Sequence, residues 1–149
     1  MMATLLRAVY TDRMRGKIEN KLLLFAYVSG TILNALSGDL SLIVYGFKMS
    51  LVIFLLLFPL YLIKGLGAGD IKLLCVIAMY YPDKVTKVTI ASFVIGAIYI
   101  IFRMIIRAFK KEKIYEKKET IHFSIPIMIG FCLVYILTMV NIGGVLWIK

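Results

Sequence analysis

The stretch Lys64-Gly65-Leu66-Gly67-Ala68-Gly69-Asp70-Ile71-Lys72 separates two apolar runs, residues 40–63 and 73–81. Three glycines in five residues disfavour a helix interior, so the chain turns here. Without side chains at Gly67 and Gly69 the backbone is free to turn sharply and to be approached closely. Asp70 then falls near the start of the next helix, where backbone N–H groups favour its ionised form. Partial burial beside that helix pushes the same carboxyl towards its neutral form.

Outward from this turn the chain is strongly apolar. It has 149 residues, 62% of them hydrophobic, and a mean hydropathy of +0.94. A soluble domain of this length needs far more polar surface around one core. Further apolar runs cover about 22–36, 85–106 and 121–140. A first run, 1–10, is shorter than the roughly 20 residues of a membrane-crossing helix. It reads as a clipped span or a short tilted helix. The expected fold is all-α: a polytopic integral membrane bundle of about six transmembrane helices, one membrane-embedded domain over 1–149.

Details between the runs agree with this. Ser37-Gly38-Asp39 makes a turn in which Asp39 is placed to cap the following helix. Lys48 either snorkels to the interface or lines the bundle, and Pro59 is placed to kink the end of its helix. Cys75 and Cys132 stand alone in apolar runs, with no CxxC pair, so reduced, packed thiols are expected rather than a zinc or redox site. The first run is short and lacks a small-residue cleavage site, so it does not read as a signal peptide.

The 18 Lys+Arg against 8 Asp+Glu give a formal charge of +10. Most of the cations flank apolar runs, where they set orientation and meet lipid headgroups; nucleic acid is not an expected partner. The first loop holds Arg13, Arg15, Lys17 and Lys21, the glycine turn Lys64 and Lys72, and the fifth loop a run of cations over 107–118. The intervening loops hold only Lys84 and Lys87. Loops one, three and five are thereby assigned to the cytoplasm, with both ends outside.

Asp12 and Asp70 then share the cytoplasmic face, in different loops. Such a pair is able to hydrolyse a peptide without a metal or organic cofactor. One carboxylate takes a proton from water while the other, protonated, polarises the scissile carbonyl. Two close carboxyls titrate as a unit and share a proton. Either aspartate fits either role.

The residues around both acids carry a resemblance. Gly67-Ala68-Gly69-Asp70-Ile71-Lys72-Leu73-Leu74 resembles the GxGD-x-K segment of the type IV prepilin peptidases, membrane aspartic proteases that include archaeal preflagellin peptidases. Asp12-Arg13 with Ile18 and Asn20 is similar to that family's other segment, an aspartate, basic residues and then Ile-Pro-Asn. Phe123-Ser124-Ile125-Pro126 with Gly130 looks like the start of its last helix. Two departures stand out: Glu19 replaces the usual proline, and the N-terminal helix is short. The resemblance implies that Asp12 and Asp70 are the catalytic pair, supported by Gly67, Gly69, Lys72, Ile18 and Asn20. It implies an endopeptidase of the cytoplasmic membrane that cuts the leader from a prepilin- or preflagellin-like protein, after a glycine. The paired-cysteine region of the longer bifunctional members is missing, so peptidase activity alone is implied, as in the short enzymes of tight-adherence (Flp-type) pilus systems. Lys- and Ile-rich usage is compatible with a low-GC bacterium, the favoured source, and leaves an archaeal one open.

Plainer readings stand beside these. A lone GxGD is a weak signal, and Asp12 alone reads as a charge balancing Arg13 and Arg15. Lys72 reads equally as a topology-setting cation. His122, the only histidine, reads as a headgroup-level or packed side chain. The basic run 107–118 reads as a solvated, headgroup-facing loop, since basic leaders would be repelled by it. Asp39, Asp83 and Glu19 read as loop or cap residues. The competing functions are a catalytically silent membrane scaffold or small transporter, with Asp12 and Asp70 binding an ion or capping helices, and a presenilin-like intramembrane protease, for which the chain is short.

Overall fold

The computed structural model describes residues 1–110 and 123–146. Among them are six helices and no strand: α1 (Met2–Arg15), α2 (Asn20–Leu36), α3 (Leu40–Leu62), α4 (Ala68–Tyr80), α5 (Pro82–Lys110) and α6 (Ser124–Leu146). His122 and most of the charged run after α5 lie outside the described residues.

The centre of the bundle is α4. Its sequence is apolar on every side, and a helix of that kind is stable only when surrounded. Leu73, Leu74, Ile77 and Ala78 are fully buried. Helices α2, α3, α5 and α6 all pack against α4. The α3 side does so along a narrow stripe, Gly46, Ser50, Ile53 and Leu57. A Cβ at Gly46 would stand 3.3 Å from the Met79 backbone, so the two helices approach as closely as small residues permit. Ser50 and Cys75 fasten this seam reciprocally: the Ser50 hydroxyl donates to the Cys75 carbonyl at 2.9 Å, and the Cys75 thiol to the Ser50 carbonyl at 3.4 Å. Both cysteines are free thiols.

The outer helices have the opposite character. In α3 (Leu40–Leu62) and in Pro82–Ile106 of α5 the most apolar window has a mean hydropathy of 2.2, yet only 22% and 17% of it is buried. A soluble protein's core helix of that hydropathy would be mostly covered; here Leu55, Leu56, Val94 and Ile98 face outward. The chain is a membrane protein. These two helices are long enough to cross a bilayer, and the apolar stretch Ser124–Val140 of α6 is somewhat shorter. Helices α1, α2 and α4 have 14, 17 and 13 residues, or about 20–25 Å against a hydrocarbon core of about 30 Å. Helix lengths alone therefore do not amount to six complete crossings. Lys48 is exposed on the outside of α3 and does not line the bundle.

One local expectation is corrected, and the turn expected at the glycines is made in an unexpected way. Asp12 is not in a loop: nothing from Thr11 to Arg15 breaks a helix, so α1 continues to Gly16. That glycine takes the left-handed conformation (φ 63°) and returns its N–H to the Asp12 carbonyl at 2.8 Å. Nor do the three glycines supply the left-handed residue of the central turn. Lys64 does, at φ 58°. Its N–H reaches the Tyr61 carbonyl at 2.9 Å and that of Gly65 the Leu60 carbonyl at 2.8 Å, the two bonds of a Schellman helix end. A lysine in that conformation costs about 1 kcal/mol, offset by two carbonyls that would otherwise go unpaired in apolar surroundings. Asp39 caps α3 as expected, accepting from the Ser41 N–H at 2.9 Å. Bonds from the Ser41 hydroxyl and N–H hold its carboxyl below the ordinary aspartate value.

Candidate active site

The last turn of α1 and the first turn of α6 meet at Asp12. Its carboxylate is buried, and the hydroxyl of Ser124, itself fully buried, donates to Oδ2 at 2.6 Å. Ser124 opens α6, and Pro126 sits two residues further on, where its missing N–H leaves no intrahelical bond unmade. Sequence reasoning singled out the stretch around Ser124 but gave the serine no role.

Asp70 occupies the first turn of α4, outside the two long apolar helices. Gly67 is the residue immediately before that helix, with φ −75°, a conformation any residue adopts. What requires a glycine is space: a Cβ at position 67 would lie 2.9 Å from Asp70 Oδ2. The carboxyl folds back over the Gly67 backbone, as an acid three residues after a helix cap commonly does. Gly69 also makes room for something. Its missing Cβ would be 3.2 Å from the Cβ of Ile18, so the connection between α1 and α2 closes directly onto α4. Lys72 Nζ then donates to Asn20 Oδ1 at 3.0 Å, tying α4 to the start of α2. Ile18, Asn20, Gly69 and Lys72 thus link the connection between α1 and α2 to the start of α4, while Gly67 makes room for the Asp70 carboxyl itself. Glu19, where a proline was expected, pairs with Arg15 at 2.6 Å on the surface, and α2 begins directly after it.

Asp70 senses the charge of Asp12. Burial, and after it the negative charge of Asp12, push Asp70 up to about 7, against a smaller opposing pull from the Gly67 backbone. Asp70 Oδ1 is buried and has no hydrogen-bond partner among the described residues. A cavity of about 210 Å³ opens onto this carboxyl. Leu66 and Gly67 form one side of it, and the rings of Phe93 and Phe123, 5.1 Å apart, stand on the other. A buried carboxyl that retains its proton near neutrality, beside a second carboxylate, is equipped for proton transfer at a bond placed between them. Among the described residues no three His, Cys, Asp or Glu side chains are grouped to hold a metal.

A scan against protein-family models returned one described as the type IV leader peptidase family, matching residues 1–101, which contain both aspartates. Searches of curated proteins and of solved structures returned no match. With that model covering well over half of its length, the chain belongs to the type IV leader peptidase family.

Proposed function

We propose that this peptidase is a multi-pass aspartic endopeptidase of the bacterial cytoplasmic membrane, removing the leader from a prepilin-like substrate at the cytoplasmic face. The observation that carries the reading is the buried Oδ1 of Asp70, without a partner among the described residues, on a carboxyl raised to about 7 with Asp12 beside it. A protonated Asp70 has a hydrogen to donate to the scissile carbonyl. Asp12, ionised and oriented by the Ser124 hydroxyl, accepts the proton of the attacking water. After attack, the proton held by Asp12 passes to the leaving amine as the carbon–nitrogen bond breaks, and the hydroxyl that re-forms the carbonyl returns its proton to Asp70. The cavity beside Asp70 has room for a side chain flanking that bond. The cations of the first loop and of the glycine turn support a cytoplasmic site.

The sign of the pH dependence follows. Asp70 acts in its protonated form, so cleavage falls as pH rises through about 7. The direct test is co-expression with a prepilin-like substrate, leader loss being read by gel shift. Asp12→Asn and Asp70→Asn are each expected to abolish leader removal while the protein still inserts in the membrane. Full processing by either inserted variant overturns the pairing.

A further inference from the structure

The face of α4 turned away from Asp70 borders a second hollow. At about 100° per residue, Lys72 lies about 200° round the helix from Asp70, with Cys75 and Val76 on the same far side. These three residues border a groove of about 600 Å³ between α2 and α3. One end is polar and cationic, formed by Asn20, Lys21 and Lys72; the walls are apolar, with Leu24, Leu51 and Phe54 prominent, and among the described residues no acidic side chain lines it. Of the neutral polar groups in the wall, Ser50 and Cys75 are matched with each other's carbonyls. Lys72 gives one N–H to Asn20, which holds the ammonium at the mouth with two donors to spare. Leu24 and Leu51 are 67% and 51% exposed, so the groove is open along its flank to the surroundings of the bundle.

An occupant matched to this shape has an anionic head and a long apolar tail. A peptide held for cleavage at Asp12 and Asp70 does not fit the requirement, because the groove and the carboxyl of Asp70 are on opposite faces of α4. We propose that the groove is a binding site for an anionic phospholipid, its phosphate between Lys21 and Lys72 and an acyl chain along Leu24, Leu51 and Phe54.

The test is native mass spectrometry of the delipidated full chain in detergent. Phosphatidylglycerol and phosphatidylcholine of equal chain length are titrated, with glycerol 3-phosphate as the tail-less anion. Phosphatidylglycerol adducts are expected to dominate, and glycerol 3-phosphate to leave none. Each lysine near an anionic head contributes roughly five-fold to binding, so Lys21→Gln costs about five-fold and Lys21→Gln with Lys72→Gln roughly 25-fold. Lys21→Gln leaves the Lys72–Asn20 bond in place, which separates lost charge from a lost helix contact. Leu51→Trp, on the outer side of α3, fills the groove and is expected to reduce adducts with both lysines intact. Equal retention of the two lipids, or phosphatidylglycerol adducts unchanged in the double variant, overturns the proposal. Displacement of the lipid by a prepilin-like transmembrane peptide reassigns the groove to a protein partner.

Discussion

The two ends of α4 solve the same problem in opposite ways. At the Tyr80 end, half-buried polar groups are matched by neutral partners from α2. The Tyr80 and Ser29 hydroxyls share a bond of 2.7 Å, and Asn34 Nδ2 donates to the Met79 carbonyl at 2.8 Å. Gly30 lets the Tyr80 ring approach α2 closely, a Cβ there standing 2.8 Å from Tyr80 Cε2. At the Asp70 end, the helix carries a buried acid with one oxygen unpartnered among the described residues, facing a cavity and a second acid. This bundle therefore satisfies a half-buried polar group where the group serves packing. About 15 Å away along the helix, at about 1.5 Å per residue, the Asp70 carboxyl keeps an oxygen without a partner among the described residues, which the proposed function explains as stability given up for chemistry.

Substitutions at the two ends should separate these roles. The largest effect belongs to Asp70→Asn, at least about 100-fold in leader removal, the lower range for loss of a general acid or base. Gly67→Ala comes next. Its backbone accepts alanine, so the chain folds and inserts, but the new methyl displaces the Asp70 carboxyl. A shift of that kind costs up to about 100-fold in rate. Ser124→Ala removes one charge-assisted bond to Asp12, an expected loss of about ten-fold in cleavage at constant substrate binding. Tyr80→Phe is the smallest: roughly 0.6 kcal/mol of stability, read by unfolding in mixed detergent, and cleavage unchanged within about two-fold. A Tyr80→Phe protein as impaired in cleavage as Gly67→Ala would erase the distinction between the ends.

Much of this was legible in the sequence where local chemistry decides. The apolar runs became helices, Asp39 became a cap, and Asp70 fell in the first turn of its helix. The glycine motif was legible as a motif, but its physical reason was not. Gly67 and Gly69 are defined by what lies beside them in space, the carboxyl of Asp70 and the side chain of Ile18. Lys64 took the left-handed turn because the carbonyls at the end of α3 needed partners, a demand no single residue announces. Ser124 lies 112 residues from Asp12, and a serine at a helix start carries no sign of which distant acid it will meet. Helix length, by contrast, was legible: α4 runs only from the glycine turn to Pro82, and its apolar run falls well below the roughly 20 residues of a span.

The central claim is that Asp70 keeps its proton near neutrality because it is buried beside Asp12. Infrared titration of the full chain in detergent tests it most directly, following the protonated-carboxyl band that Asp70→Asn removes. The account predicts a midpoint of about 7, lowered in Asp12→Asn but still above the ordinary aspartate range because burial is the larger cause. A midpoint near 4 in the unmodified chain would contradict it.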